Sequence, residues 1–287
     1  MEIFELRYFL SVAQFENIHR ASTQLSISPG SLSKAVSRLE DELGVALFVR
    51  DGRNIVLTDH GRLLQKRASE LIQMEEATRL QISGHLGTIR CVLIGSEIVI
   101  SEIGLGVIEN LEQKFPKIEF ELQYANDQVA LQKIEQGEAH LAIVTSEVPE
   151  GLAAKTLGSS TFQTCVGRKH PLYAAAKAKK PVAIEKVLEH AFVNPSYGFL
   201  GQVGNKQSFD GWRDDKFPRR IRYVTSCLKM IEQLVVSGKA LAYLPDYYVK
   251  SIDAEVLDIH GCPYSCSQKI RMVARNPKQV GWLNQLF

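Results

Sequence analysis

Ser28 and Pro29 form the strongest helix-start signal in the sequence. Serine is a preferred N-cap, and proline is favoured at the first helical position because its missing N–H is not needed there. We predict a helix from Pro29 to the residue before Gly44, since glycine is favoured just beyond a helix C-terminus. A shorter helix over 18–25, capped by Asn17, ends only two residues before Ser28. Two helices joined by so short a turn form a helix-turn-helix.

The segments on either side complete a small module. Apolar residues at helical spacing predict an amphipathic helix over 4–15. The helix after Ser28 is expected to bury a stripe formed by Leu32, Val36, Leu39 and Leu43. Beyond it, Asp51 and Gly52 separate two β-prone runs, which is a hairpin signal. A hairpin after a helix-turn-helix is a wing, so residues 1–58 are predicted to form a winged helix-turn-helix, all-α apart from the hairpin.

The outward face of the second motif helix has the chemistry of a DNA-contacting surface. Such a helix enters the major groove N-terminal end first. The residues opposite the apolar stripe are small, hydroxylic or cationic: Gly30, Ser33, Lys34, Ser37 and Arg38. Arg50 and Arg53 flank the wing tip, where they can reach the DNA backbone or the minor groove. Residues 1–89 carry 10 Lys and Arg against 11 Asp and Glu, so placement rather than total charge supports DNA binding. The helical pattern alone also fits a small bundle with a solvated surface.

The first sixty or so residues also follow a family pattern. The matching positions are Leu6, Phe9, Val12, Ala13, Arg20, Ala21, Leu25, Ile27, Ser28, Leu32, Ser33, Lys34, Val36, Arg38, Leu39, Glu40, Leu43, Gly44, Val45, Leu47, Phe48, Arg50, Arg53, Leu57, Thr58 and Gly61. With these residues at this spacing, the chain resembles the LysR-type transcriptional regulators. The resemblance implies that Pro29, Gly30, Ser33 and Lys34 face the DNA. The family usually has Gln then Pro where this chain has Pro29 and Gly30, so one potential base contact is lost.

A long helix is predicted to follow the wing, over 59–84, with Thr58 as its cap. Its stripe consists of Leu64, Ala68, Leu71, Thr78 and Ile82. A helix of that length cannot bury its stripe within a small domain and needs a partner helix. In the family that the chain resembles it is the dimerisation helix, so we expect a homodimer, with dimers pairing into a dimer of dimers. Packing on its own domain is the alternative. Residues 85–88 are predicted to be a hinge, which makes 59–88 the linker.

From residue 89 onward, short β-branched runs alternate with amphipathic stretches, which is the pattern of βαβ units and a mostly parallel sheet. At 287 residues, the chain is long enough for more than one domain. Residues 89–287 resemble, more loosely, the family's two-lobed α/β effector-binding domain of the periplasmic-binding-protein type. We assign lobe 1 to about 89–158 plus 266–287, and lobe 2 to about 159–265.

Polar residues recur at the carboxyl ends of the predicted strands, where open α/β sheets bind ligands beside helix N-termini. They are Ser96, Glu97, Asn126, Thr145, Ser146, Asn194, Ser196, Tyr197, Thr225 and Ser226. Helix capping explains many of them without a ligand. Their recurrence in both lobes favours an effector site, which the resemblance places between the lobes. Helix N-termini favour a small carboxylate or another anion there.

The remaining sequence features predict neither a bound cofactor nor a membrane-spanning segment. His260, Cys262 and Cys266 could supply three zinc ligands, but no fourth is evident nearby, so we predict an ordinary turn without metal. The basic run 219–222 is expected to be solvated surface. Five cysteines, an odd and sparse number, indicate a reducing compartment. The apolar runs are too short for a membrane span and the acidic first residues are unlike a secretory signal, so we expect a cytoplasmic protein.

The leading hypothesis is a regulator that binds double-stranded DNA and responds to a small-molecule effector. The first alternative is a small-molecule binding protein whose N-terminal segment serves only oligomerisation. The second alternative is an enzyme, which we do not expect, because the sequence lacks Gly-x-Ser-x-Gly, His-Glu-x-x-His and Gly-x-Gly-x-x-Gly.

Overall fold

A computed structural model describes residues 1–51, 54–82, 89–200, 208–275, 277, 282–283 and 286–287. The chain forms two compact units. The first consists of Met1–Ile89, Lys133–His140 and Ala274–Phe287, and the second of Arg90–Gln132 and Leu141–Val273. Arg53 at the wing tip and the predicted hinge over 85–88 lie outside the described residues.

The first unit begins with three helices, a hairpin and a long helix. They are α1 (Ile3–Phe15), α2 (Ile18–Leu25), α3 (Pro29–Leu43), β1 (Phe48–Asp51), β2 (Asn54–Leu57) and α4 (Asp59–Ile82). The two strands pair antiparallel, with Val49 opposite Val56. This order confirms the predicted winged helix-turn-helix followed by a long helix.

Local capping sets the helix boundaries. The Asn17 side chain accepts a hydrogen bond from the Arg20 amide at 3.0 Å, and the Ser28 hydroxyl accepts one from the Ser31 amide at 3.1 Å. Gly44 ends α3 in the left-handed region, with φ of 69°. Each of these signals acts within a few residues, and the predicted bounds of α2 and α3 are confirmed.

The core of the winged module joins all three helices to the hairpin. Its buried members include Leu6, Phe9, Val12, Ala21, Leu32, Val36, Leu39, Leu47 and Leu57. The prediction that Leu43 is buried with them is wrong. Leu43 is the last residue of α3 and is exposed, because the buried stripe ends one turn earlier at Leu39.

Helix α4 packs within its own chain along one side. Ala68 and Ile72 join the core of the winged module. The Ser69 hydroxyl donates to the Gln136 carbonyl at 3.0 Å, and the Gln65 amide donates to the Glu138 carboxylate at 3.1 Å. Residues of the same chain therefore cover this side of α4, as in the alternative that the sequence left open. The exposed apolar residues of α4 include Leu63, Leu71, Met74 and Ile82.

The second unit consists mainly of two runs of strands and helices. The first run contains β3 (Ile89–Gly95), α5 (Glu97–Val99), a π-helical segment (Ile100–Gly104), α6 (Leu105–Lys114), β4 (Ile118–Tyr124), α7 (Asp127–Gln136) and β5 (Leu141–Val144). The second contains β6 (Ala153–Gly167), α8 (Tyr173–Lys177), β7 (Val182–Ala183), α9 (Ile184–Leu188), β8 (Ala191–Pro195), β9 (Arg220–Thr225), α10 (Leu228–Val236), β10 (Ala242–Pro245), α11 (Asp246–Val249), β11 (Ala254–Val256), β12 (Ile259–His260) and β13 (Ser267–Ala274).

The largest sheet has the order β10-β6-β13-β5-β3-β4, with β11 also paired to β6. Strands β3 and β5 are parallel, with Leu93 opposite Leu141, and β8 pairs parallel with β9. By contrast, β13 is antiparallel to β5, and β10 and β11 are antiparallel to β6. The expectation of a mostly parallel sheet is therefore wrong: β6 and β13, the two longest strands, introduce the antiparallel pairs. The α/β fold class predicted for this part of the chain is confirmed.

The basic run 219–222 does not lie wholly in solvent, contrary to expectation. The Arg219 guanidinium is buried and forms ion pairs with Asp210 at 2.5 Å and Asp214 at 2.8 Å. It also stacks over the Trp212 ring, 5.2 Å from its centroid. A buried cation is tolerated here because two carboxylates and an aromatic face replace its hydration. This network holds the segment that leads into β9.

Candidate nucleic-acid interface and effector site

The N-terminal half of α3 presents the face expected to meet DNA. Gly30 and Lys34 are exposed, and Pro29 and Ser33 are half-buried on the side away from the core. A Cβ placed on Gly30 would meet no atom within 4 Å, so the surface above it is open. Small residues at the start of a helix, followed by a hydroxyl and an ammonium group, allow the backbone of a bound duplex to approach closely.

Arg38, one turn further along α3, is committed to a partner that sequence reasoning missed. Its Nε lies 3.1 Å from Oε1 of Glu5, a side chain that is only 1% exposed, whereas Arg38 is 64% exposed. Glu5 also accepts a hydrogen bond from the Glu2 amide at 2.8 Å. The spacing Glu2-x-x-Glu5 resembles a capping box, and it was the sequence signal that Glu5 has a structural role. Arg38 therefore ties α3 to α1, which reduces the positive charge it offers to DNA.

The wing is attached to α3 through Glu40. Its Oε1 accepts hydrogen bonds from the amides of Leu47 (2.7 Å) and Phe48 (3.1 Å), at the start of the hairpin. The acid at the far end of α3 thus orients the wing. Arg50 lies exposed on β1. Arg53, its predicted companion, is outside the described residues.

In the second unit, polar residues gather where β3 and β5 end. The two strands are in parallel register, and the Ala125 amide donates to the Gly95 carbonyl at 2.9 Å, which brings the start of α7 to the same edge. Oδ2 of Asp127 accepts three hydrogen bonds, from the amide and the hydroxyl of Thr145 and from the amide of Ser146, at 2.8 to 2.9 Å. The sequence did not single out Asp127, although it directly follows the predicted Asn126.

This arrangement corrects one assumption behind the expected anion site. The two amides at the end of β5 do not face an empty site, because the Asp127 carboxylate already accepts from both. Asn126 caps α7 through a 2.9 Å bond from the Val129 amide. Ser96, by contrast, is 2% exposed and its hydroxyl has no partner among the described residues, and the hydroxyl of Ser146 is likewise unpaired there.

The second group of predicted residues lies at the ends of β8 and β9. These strands pair so that Pro195 lies opposite Thr225, and the Ser196 amide donates to the Thr225 carbonyl at 2.9 Å. Asn194 is half-buried, and its Oδ1 has no partner within the described part of the chain. Tyr197, Ser196 and Ser226 are exposed, and Glu97 at the other edge is half-buried.

Tyr247 on α11 extends the polar set and was missed by sequence reasoning. Its hydroxyl is buried, without a partner among the described residues. Burial raises the pKa of Tyr247 above its ordinary value, and the nearby carboxylates of Glu102 and Asp127 add to the shift, so the phenol stays protonated. Tyr247 lies two residues after Pro245, where β10 ends, which is the kind of position from which the other polar residues were predicted.

No three His, Cys, Asp or Glu side chains in the described ranges are placed to hold a metal ion. Cys266 is buried and its amide donates to the Tyr243 hydroxyl at 3.0 Å, while His260 is exposed on β12. Within the same ranges, none of the helices has both the length and the apolar character of a membrane span.

A capped recognition helix with a wing, in a chain that also forms two α/β lobes, defines a DNA-binding regulator with a ligand-binding domain. Comparison with known families agrees. Residues 3–62 match the family described as bacterial regulatory helix-turn-helix protein, lysR family. Residues 93–279 match the family described as LysR substrate binding domain. The chain belongs to the LysR family of transcriptional regulators.

Individual relatives cover nearly the whole chain. The transcriptional activator IlvY of Haemophilus influenzae is 25% identical over 261 residues, which span 88% of this chain and 85% of that protein. The full-length LysG structure from Corynebacterium glutamicum with bound effector Arg has a TM-score of 0.62 at 19% identity, covering 99% and 96% of the two chains. Full-length CbnR in complex with its target DNA has a TM-score of 0.56 at 18% identity, covering 99% and 98%. At these identities the structures support the fold.

Proposed function

We propose that the protein reads its operator through the N-terminal half of α3 and the wing. The observation that carries this proposal is the open face formed by Pro29, Gly30, Ser33 and Lys34 on a capped helix whose opposite side is buried. Arg50 would contact the backbone, as would Arg53. Arg38 contributes less, because it is paired with Glu5. Because Pro29 and Gly30 offer little hydrogen bonding, Ser33 and Lys34 must carry more of the base readout.

Selection of preferred sites from random double-stranded DNA tests this assignment. Ser33→Ala and Lys34→Ala should select altered sequences, with about 1 to 3 kcal/mol lost per good base contact. Ser159→Ala is the matched control, since Ser159 is exposed on β6 in the second unit. If both variants select the same sites as the parent, the readout lies elsewhere. If the parent itself selects no sequence, the alternative of a small-molecule binding protein is favoured.

We further propose that a small-molecule effector binds between the two lobes, at the polar residues that end β3, β5, β8 and β9. The unpaired groups of Ser96, Ser146, Asn194 and Tyr247 support this, because buried polar groups without partners are uncommon in folded proteins. Oδ1 of Asp127 accepts no hydrogen bond from the described residues. A ligand group near Asp127 is therefore a hydrogen-bond donor rather than the anion expected from the sequence.

The domain boundaries follow the same proposal: 1–58 for DNA binding, 59–88 for the linker, and 89–287 for the effector domain with the two lobes given above. We propose a homodimer formed through α4, and pairing of dimers into a tetramer. The exposed apolar side chains along α4 support it, since Ile82 is 83% exposed near its end. A regulator of this family acts on the chromosome, which supports a cytoplasmic location.

A further inference from the structure

Helix α4 makes a buried polar contact with the end of α7. The Ser69 hydroxyl donates to the Gln136 carbonyl at 3.0 Å, and the Gln65 amide donates to the Glu138 carboxylate at 3.1 Å. Ser69 is 4% exposed and Gln65 is 5% exposed. A Cβ on Gly137 would lie 2.3 Å from that of Ser69, so the backbone that follows α7 lies directly against α4. We call this set of interactions the α4 contact.

A second element reaches the same part of α4. Arg275 directly follows β13, and its guanidinium donates to the Lys66 carbonyl at 3.0 Å. It also forms an ion pair with Glu70 at 2.5 Å, in which the two side chains are 11% and 22% exposed. An ion pair shielded from solvent to this extent is screened less than one on the surface. Helix α7 and strand β13 therefore both lead to residues 65–70 of α4, and we include Arg275 in the α4 contact.

Both elements are also bound to the bend formed by Thr145 and Ser146, directly after β5. Asp127, the first residue of α7, accepts hydrogen bonds from the Thr145 and Ser146 amides at 2.8 Å. Arg271, on β13, donates to the Ser146 carbonyl at 2.8 Å. One short bend is thus held by two elements that lead to α4. Thr145 and Ser146 are among the residues proposed above for the effector.

The two connecting elements are internally rigid. Helix α7 has ten residues, which gives it a length of about 15 Å. Its inner side is buried at Ala130, Leu131 and Ile134. Strand β13 lies between β5 and β6 in the largest sheet, so it is paired on both sides. Packed helices and paired strands of this kind can carry energetic coupling between distant sites.

Helix α4 is also joined to the winged module. Ala68 and Ile72 lie in the same core cluster as Phe9 of α1. Arg7 of α1 forms an ion pair with Glu75 of α4 at 3.1 Å. A change in the α4 contact therefore acts on the helix to which the winged module is attached.

We propose that α7 and β13 couple the bend at Thr145 and Ser146 to α4, so that a group bound at the bend changes how firmly the α4 contact is held. This inference rests on the effector site proposed above, and it adds the route by which that site affects the winged module. A ligand that binds the bend with different affinity when the α4 contact is open and when it is closed shifts the balance between the two arrangements. Because coupling is reciprocal, a change in the α4 contact must alter the bend as well.

Hydrogen–deuterium exchange of the full-length protein tests this reciprocal effect without any ligand. Ser69→Ala removes a hydroxyl from the α4 contact, and we expect the amides of Thr145 and Ser146 to exchange at least about fivefold faster than in the parent. Thr78→Ala is the matched control. It removes a hydroxyl that donates to the Met74 carbonyl at an exposed position of α4, and both amides should exchange as in the parent.

Arg275→Gln tests the connection through β13 independently. It removes the ion pair with Glu70 and should also accelerate exchange at the bend, by about fivefold. The Ser196 amide, which donates to the Thr225 carbonyl, serves as the internal standard, because it takes part in neither connection. It should exchange at the parental rate in every variant.

Thiol labelling measures the coupling in the opposite direction. Ser69→Cys places a thiol at a buried position of the α4 contact, where a reagent reaches it only when the contact opens. Adding Asp127→Asn, which weakens the hydrogen bonds to the bend, should increase the labelling rate of this thiol at least about fivefold. Glu135→Gln removes the same charge from an exposed position of α7 and should leave the rate unchanged. Mass spectrometry separates the engineered thiol from Cys227, which is exposed.

The proposal is overturned if exchange at the bend is unchanged in Ser69→Ala and Arg275→Gln, or if it rises no more than exchange at Ser196. It is also overturned if Asp127→Asn and Glu135→Gln have the same effect on labelling. Circular dichroism establishes whether each variant is folded, and Arg275→Gln remains decisive if Ser69→Ala is not. Because neither measurement uses DNA or an effector, failure here leaves the proposed regulator intact. Coupling in a protein without an effector response would instead contradict the proposed effector site.

Discussion

Gly137 occupies a position in the first unit that only glycine fits. Its φ is 75°, and a Cβ there would collide with the Ser69 side chain of α4. Gly137→Ala should therefore lower the free energy of unfolding by at least about 2 kcal/mol, from backbone strain and overpacking together. Gly151 is the matched control, because its φ is 91° but open space surrounds it. Gly151→Ala should cost about 1 kcal/mol in urea unfolding, and equal losses in the two variants would contradict the close contact with α4.

His170 should make stability depend on pH. It is buried, its ring centroid lies 4.6 Å from that of His190, and its Nδ1 accepts from the Leu172 amide at 3.2 Å. Burial, with a smaller effect of His190, lowers the pKa of His170 from 6.5 to about 4. The unfolded chain therefore binds more protons between these two values, so this contribution is fully present above about pH 6.5 and is lost as the pH falls toward 4.

Urea unfolding at several pH values measures this effect. His170→Asn, which keeps an acceptor for the Leu172 amide, should show a shallower loss of stability between pH 6.5 and 4 than the parent. His60→Asn, at an exposed position on α4, should follow the parent. Identical pH profiles for the parent and His170→Asn would show that the buried ring does not contribute.

The role of a single residue could be predicted when its partners lie close to it in the sequence. Asn17, Ser28 and Gly44 act on neighbours within a few positions, and their roles were visible in the sequence. Asp127 and Arg219 could not be interpreted in the same way. Asp127 binds amides 18 and 19 positions away, and Arg219 is buried by side chains that fold back onto it.

At the scale of the elements, the exposed apolar residues of α4 give a test of the proposed dimer. One side packs on the winged module and on residues 133–140, while Leu71, Met74 and Ile82 remain exposed. We expect the double variant Met74→Glu and Ile82→Glu to be monomeric at micromolar concentration, because charges would be buried in the apolar contact. Light scattering checks this against Val224→Glu, an exposed apolar position on β9. A dimer in the double variant would place the interface elsewhere.

Elements with a clear period were predicted better than those whose pairing is non-local. Helices α1 to α4 follow from apolar spacing and caps, and β3 and β5 from short β-branched runs. Strand β6, Ala153–Gly167, is the longest strand, and its pairing is non-local. Its first half is exposed over 154–159, so burial leaves no alternating pattern there for sequence reasoning to detect.

For the whole molecule, the fold class and the DNA-binding motif were predictable, and the arrangement of the proposed effector site was only partly so. The predicted residues at the ends of β3 and β5 do converge, as those at the ends of β8 and β9 do. The sequence could not show that Asp127 would accept hydrogen bonds from the amides of Thr145 and Ser146. Nor could it show that Tyr247 would extend the set of polar residues at the proposed effector site. Both facts depend on chain segments meeting across the fold, and they change the chemistry expected of the effector.

The effector response and operator binding are assigned to different parts of the chain, so a substitution can remove the first and leave the second. Ser96 is buried at the end of β3 with an unpaired hydroxyl, so Ser96→Trp should fill the proposed effector site and abolish the transcriptional response. Basal operator binding in a gel shift should persist, because the two functions are assigned to different parts of the chain. Tyr247→Phe removes one hydroxyl without adding bulk and should weaken the response. Ser101→Trp, at an exposed position nearby, is the control. If Ser96→Trp and Tyr247→Phe both respond like the parent in a reporter assay, the effector binds elsewhere.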